Sequence, residues 1–256
     1  GSSTSYGVVW VDNDAKVTMN NCLIDGSKAY GFFCDPNVEV PSFSNNTIRN
    51  CDKAPIWFYS LSSAAALTTN STLTGNTNNY VAVNNFDLPA QTSLTIGRTS
   101  VPYFIEQGGE MRGNLTITEG VTFYMDADAG ISIVNDASAS LTVNGTAELP
   151  VTFTRLPGSS YYWASSGAMG IQLWKGYHTI NHCIIEYGAG RSDVGAISMA
   201  WETSLTISNT VIRNSNHYGF YVSHNTVSVN HTNVTFANNA GGNVYWHDGQ
   251  IYEQIP

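Results

Sequence analysis

The chain of 256 residues carries 10 Lys and Arg against 19 Asp and Glu, a net charge of -9, with 42% hydrophobic and only 11% charged residues. Hydrophobic content at that level excludes a disordered chain, and the lack of any Lys/Arg cluster excludes the electrostatic footprint of a nucleic-acid binder. No apolar run reaches the length of a membrane-spanning helix, so no membrane insertion is expected, and the N-terminal stretch lacks the basic and apolar regions of a signal peptide, which says nothing about export.

Taken in chain order, the first informative element is a phrase that returns later. AYGFFCDPN, residues 29–37, has a near twin in HYGFYVSHN, residues 217–225. Sliding the sequence against itself at that offset, without a gap, pairs Thr18 with Thr206, Asn21 with Asn209, Ser27 with Ser215, Asn45 with Asn233, and Asn50 with Asn238. This is internal repetition, which bears on the fold before any local feature does.

A shorter period lies inside each copy. In NNCLIDGS, SNNTIRNC and TNSTLTGN, residues Ile24, Ile48 and Leu73 stand at matching points. INHCIIEYG, SNTVIRNSN and TNVTFANNA place Ile185, Ile212 and Phe236 likewise. The repeat is about 24 residues, room for two or three short alternating strands joined by polar turns, which is one coil of a β-solenoid. Leucine-rich repeats have a similar period, but their leucine phrase is missing and no unit contains a helix-forming stretch. Asn21, Asn45, Asn209 and Asn233 are expected at turns, where asparagine tolerates left-handed backbone and can bond neighbouring coils.

The middle, residues 101–155, reads as a ladder of strands containing NLTITEGVTF and LTVNGTAELPVTFT, followed by GIQLW at residues 170–174. On these phrases the chain resembles the right-handed parallel β-helix proteins, the pectate-lyase-like superfamily of bacterial secreted and surface proteins. The resemblance implies an all-β, right-handed, single-stranded parallel β-helix that works outside the cell as a monomer. Residues 1–86 resemble the terminal coils of a first module and residues 87–256 a complete second one, and the two are expected to stack as one continuous solenoid. The first module lacks entry coils of its own, so the chain reads as a piece of a longer repeat protein or as one in which only the last coils were duplicated.

Alternation of faces puts Phe32, Cys34, Ile56, Phe58, Phe220, Val222, Val244 and Trp246 inward. Phe33, Trp57 and Tyr59 then point outward, as do Tyr221 and Tyr245. Because coils stack about 4.8 Å apart, Phe33 with Trp57, and Tyr221 with Tyr245, are expected to form aromatic stripes. Such stripes suit the faces of sugar rings, or simply pack against one another. His224 and His247 are expected to rim the second stripe. GSSYYWASSG, residues 158–167, is expected to protrude, with Trp163 lining a groove or covering the core.

Catalytic signals are sparse. In sugar-acting β-helix enzymes the carboxylates precede a Gly-apolar strand, which by resemblance points to Asp193 before VGAISM and to His217 before YGFYV. The NTD and GDD phrases of polygalacturonase-like hydrolases are absent. A lyase of this superfamily needs an Arg or Lys base, often with calcium-bound carboxylates, and Arg191 with Asp193 and Glu186 on one turn is the best available group, or a solvated turn with a surface ion pair. Asp126 and Asp128 in MDADAG offer two carboxylates for calcium but lack the remaining ligands of a recognised loop, so no cofactor is expected, with calcium as the alternative. His178 and His182 lie too far apart along a strand for a zinc pair. Cys22, Cys34, Cys51 and Cys183 lack zinc-site spacing and read as small core residues or, among the first three, as a disulfide. Three functions follow as expectations: a glycan-binding or polysaccharide-processing module of a larger surface protein, a non-catalytic spacer or adhesin, and a polysaccharide lyase or glycoside hydrolase.

Overall fold

The computed structural model describes residues 6–133, 138–165, 170–191 and 194–256. It is an all-β parallel solenoid whose only helix among those residues is the 3-10 segment Leu61–Ala66. Short strands pair with their equivalents one coil away rather than with their sequence neighbours. The backbone hydrogen bonds therefore run along the axis, and each coil completes the one before it.

One face extends through the whole stack. Its strands are Gly7–Val11, Tyr30–Cys34, Ile56–Ser60, Val81–Asn85, Tyr103–Ile105, Thr122–Met125, Val151–Arg155 and Cys183–Glu186, followed by the second half of Thr203–Arg213 and of Ser228–Ala237. Down its inner side runs one buried row of Phe32, Ile56, Val81, Tyr103, Phe123, Phe153, Ile185 and Ile212 in strict register. Rings in successive coils meet face to face, with Phe123 and Phe153 5.3 Å apart at 13°. A fully buried side chain of this size contributes about 1.5–3 kcal/mol of transfer free energy. The inward assignments of Phe32, Cys34, Ile56, Phe58, Phe220, Val222 and Val244 all correspond to fully buried residues, while Trp246 is only partly buried against the core.

A second face, the seven-stranded sheet, starts with Gly109–Met111 and continues through Ile131–Ile133, Ile171–Leu173, Gly195–Met199, Tyr218–Val222 and Gly242–Tyr245. The final strand, Ile251–Tyr252, pairs antiparallel and covers the edge that a further parallel strand would otherwise use. A third face is built from Ser93–Ile96, Asn114–Ile117, Ser140–Asn144, Gly176–Asn181 and the first halves of Thr203–Arg213 and Ser228–Ala237. Thr203–Arg213 thus serves two faces, turning at Asn209 with φ of 49°.

The cross-section changes along the axis. In the first coils the other two sides are small sheets, Lys16–Asn20 with Glu39–Ser44, and Leu23–Asp25 with Thr47–Arg49 and Thr72–Thr74. The 3-10 segment Leu61–Ala66 packs between Glu39–Ser44 and Ser93–Ile96, and the seven-stranded sheet first announces itself in the isolated bridge of Leu88 to Met111. One consequence was not legible in the repeat. YGFFC lies in the long face, whereas its twin YGFYV lies in the seven-stranded sheet. The two copies are similar in sequence but present their outward aromatics on different sides.

Turns follow the expected chemistry with one revision. Asn21, Asn45, Asn209 and Asn233 all have φ between 49° and 58°. At another corner Gly26, Asn50 and Gly75 share the left-handed region, so the backbone and not the side chain sets the residue there. Asn209 and Asn233 bond neighbouring coils as expected, Asn209 Nδ2 donating to Asn181 Oδ1 at 3.1 Å and Asn233 Nδ2 to Asn209 Oδ1 at 3.2 Å, but the amides that satisfy buried backbone groups are the following residues Asn46 and Asn76, together with Asn239. Asn46 Oδ1 accepts from Cys22 N–H at 3.0 Å while its Nδ2 donates to Met19 O at 2.8 Å, and Asn76 repeats the pattern with Cys51 and Ile48. All four cysteines are free thiols, three of them buried and Cys22 exposed.

His178 does not share a face with His182. It replaces a leucine in the inward row Leu115, Leu141, His178, Leu205 of the third face, while His182 sits on the corner with φ of 48°. His178 is 3% exposed; Leu141 N–H donates to its Nδ1 at 3.1 Å and Lys175 O lies 2.6 Å from Nε2. Both bonds are satisfied by the neutral ring with its proton on Nε2, and burial lowers its pKa from 6.5 to about 4. Since the unfolded chain binds the extra proton first, stability is complete above pH 6.5 and falls as pH drops from 6.5 to 4, by about 3 kcal/mol for this group. Thermal melts of wild type should show a decline already between pH 6.5 and 5, and the variant His178→Gln should flatten it; equal slopes would remove His178 as the cause.

Candidate functional site

Two outward surfaces carry the aromatic side chains. On the long face the outward row is Trp10, Phe33, Trp57, Ala82, Phe104 and Tyr124, one residue per coil. Phe33 and Trp57 stack at 4.3 Å and 6°, and Tyr6 stacks on Trp10 at 4.5 Å. Phe33 points outward as expected but is not an open platform: at 8% exposure it is covered by Tyr6, Tyr30 and Trp57. Four neighbouring rings of this size bury one another before any ligand arrives.

The row is broken at Ala82. Across that gap Trp57 Nε1–H donates to Glu106 Oε2 at 3.2 Å. Glu106 follows the strand Tyr103–Ile105 at the position that Asp126 takes one coil later, with Glu106 N–H bonded to Val83 O and Asp126 N–H to Ile105 O. Burial raises the Glu106 pKa, the indole bond opposes the rise, Asp126 adds to it and Lys53 opposes it. Lys53 Nζ lies over the Tyr30 ring, 4.9 Å from its centre. Tyr80 packs on Phe104 at 4.8 Å, and its phenol is pushed up to about 12 by burial and then by Glu106.

The second surface is the outer side of the seven-stranded sheet, where Ser132, Gln172, Ser198, Tyr221 and Tyr245 stand in one row. Tyr221 and Tyr245 stack at 4.9 Å and 14°. Beside them opens a cavity of about 330 Å³, whose walls include Gln172, Trp174, Ser198, Trp201, Tyr221 and His224. Trp174 and Trp201 meet edge to face at 4.9 Å. Trp201 is 41% exposed and has φ of 46°, a conformation unfavourable for a bulky side chain. A strained backbone that displays a large ring is a feature that packing alone does not call for. Thr226 N–H donates to His224 Nδ1 at 3.3 Å, which leaves the ring proton on Nε2. His247 is exposed next to Trp246, and the two rings lie 5.8 Å apart.

Glu186 and Arg191, grouped as catalytic candidates, do not form an ion pair. Glu186 lies on the long face, where Thr154 Oγ1–H donates to its Oε1 at 3.0 Å and Arg213 Nε to its Oε2 at 2.8 Å. Its partner is Arg213, one coil away, and not Arg191, which is exposed on the turn. Asp193 falls outside the described residues. His217 is half-buried edge-on to Tyr218 with a ring separation of 4.2 Å, and its Nδ1 is enclosed without a partner. Among the described residues no three His, Cys, Asp or Glu side chains are placed to hold a metal ion. Trp163 is a correction: it is fully buried, donates from Nε1 to Glu186 O at 2.7 Å and plugs the core, so it lines no groove. The surrounding segment is tied inward by bonds from Trp163 N–H to Tyr187 O and from Ala164 N–H to Ala129 O.

Among known proteins, a family model described as a right handed beta helix region matches residues 2–93. No curated protein matches the chain. No solved structure matches it either. The fold is thus a parallel β-helix, in agreement with that family model, and no helix among the described residues is long and apolar enough to cross a membrane.

Trp163 and Trp201 should separate clearly in stability. Trp163→Ala empties a core position and should cost about 3–5 kcal/mol. Trp201→Asn exchanges a strained ring for a residue suited to that backbone, and its melting temperature should be retained or raised by up to a few degrees. A drop for Trp201→Asn as large as that for Trp163→Ala would make the exposed ring a structural one.

Proposed function

We propose that the protein is an extracellular carbohydrate-associated β-helix that binds a neutral or weakly charged glycan on its seven-stranded sheet. The observation that supports this reading is the cavity walled by Trp174, Trp201 and Tyr221 beside the stacked Tyr221 and Tyr245. Sugar rings offer apolar faces and a rim of hydroxyls. Flat aromatics meet the first, and the polar groups of Gln172, Ser198 and His224 suit the second. Among the described residues no carboxylate lines this cavity, and the reading is one of recognition. The rigid stack keeps rings at fixed spacing, which lowers the ordering cost of binding.

Glycan-array binding by the purified chain tests the reading. A hit should be lost, with affinity falling at least tenfold, in both Trp201→Ala and Tyr221→Ala, while reducing-end and unsaturated-product assays on the hit remain silent. Retained binding in both variants would move the site elsewhere, and absence of any hit would favour a spacer or adhesin.

A further inference from the structure

The cluster on the long face has a different chemistry from the cavity. Near Ala82 stand Trp57, Tyr30, Tyr80 and Phe104, and the Glu106 carboxylate accepts from the Trp57 indole, with Asp126 following one coil later. Ala82 takes a place that a large ring holds on either side, in Trp57 and in Phe104; at 1% exposure it lies covered by its neighbours, so a ligand meets the ring faces and the carboxylate above it. An aromatic wall with a carboxylate beside it attracts cations, since ring faces carry negative quadrupole charge. The structure already contains one such contact: the Lys53 ammonium rests over Tyr30. The chain's net charge of -9 draws cations towards the surface in general.

We propose that Tyr30, Trp57, Tyr80 and Glu106 form a second binding site, for an organic ammonium group, with Lys53 as an intramolecular occupant that a ligand displaces. The ammonium is carried either by an amino sugar in a glycan or by a free organic amine; the choice of an amino-glycan probe rests on the carbohydrate reading above, but the site itself does not. Lys53 is tethered and offers only one end to the cage. A ligand cation with apolar substituents gains the ring faces as well as the charge.

The pH dependence follows from the groups that face Glu106. These are the Trp57 indole, the phenols of Tyr30 and Tyr80, the Lys53 ammonium and the Asp126 carboxylate. Only the ionised Glu106 attracts a cation. Affinity for a cation of fixed charge should therefore rise with pH through the titration of a carboxyl held above its ordinary range.

Titration calorimetry on the whole chain decides the matter with three probes: an oligomer of 2-amino-2-deoxyglucose, its N-acetylated counterpart, and tetramethylammonium chloride. The amino oligomer should bind and the N-acetylated one should not. Glu106→Gln should weaken binding at least tenfold while keeping an acceptor for Trp57, and Lys53→Gln should tighten it severalfold. Tetramethylammonium binding weaker than the oligomer assigns the site to a glycan-borne amine, and equal binding assigns it to a free cation. Trp201→Ala and Tyr221→Ala should leave all of this unchanged, which separates the two sites. Equal binding of the N-acetylated oligomer, absence of cation binding, or indifference to both Glu106→Gln and Lys53→Gln would overturn the proposal.

Discussion

Everything in this molecule depends on hydrogen bonds that run along the solenoid axis. A coil of about two dozen residues encloses too little to form a core alone, and its backbone groups find no partners within it. Stacking solves both problems at once. The bond from Phe32 N–H to Pro55 O, and those from Asp35 N–H to Val11 O and Asp126 N–H to Ile105 O, fix each coil on its neighbour. The same register places Phe123 on Phe153 and Ile185 on Ile212. Inward rows are thus a consequence of backbone pairing, and their burial in turn holds the pairing in register.

The outward rows inherit that register without the demand for burial, so they are where composition is free to vary. On the long face this produces an aromatic ladder interrupted at Ala82; on the seven-stranded sheet it produces Ser132, Gln172 and Ser198 leading to Tyr221 and Tyr245. Glu186 illustrates how the same geometry can instead be spent on structure. Its carboxylate is bracketed by Thr154 and Arg213 from adjacent coils, which ties three coils together through side chains. Glu106, one row over, has an indole as its neutral partner and keeps a perturbed titration.

The fold was legible because a solenoid writes its period into the chain: Ile24, Ile48 and Leu73 are in register in space as they are in sequence. The stacked pairs Phe33 with Trp57 and Tyr221 with Tyr245 were legible for the same reason. Contacts that skip a coil were not. The bond between Trp57 and Glu106 joins residues 49 positions apart across Ala82, and no single repeat contains it. Of the two roles open to Trp163, groove or core, the structure takes the second, because the indole finds the Glu186 carbonyl and the core beneath the loop. Trp201 did leave a signal. It occupies a left-handed corner of the kind filled elsewhere by Asn21, Asn45 and Asn209, and a tryptophan where turn chemistry favours asparagine is a departure that the pattern itself exposes.

The shift of the repeated phrase from one sheet to another gives the duplication a physical meaning. A copied set of coils brings its inward and outward pattern with it, but which side it faces is decided by the coils on which it stacks. Leu61–Ala66 and the bridge of Leu88 to Met111 remake the cross-section between the copies. As a result YGFFC buries its aromatics among Tyr6, Tyr30 and Trp57, next to a carboxylate, whereas YGFYV presents Tyr221 to a cavity walled by Trp174 and Trp201. Two nearly identical phrases thereby came to sit in chemically different surroundings. That difference in surroundings requires no change in either phrase, only in the outward residues of the coils beside them.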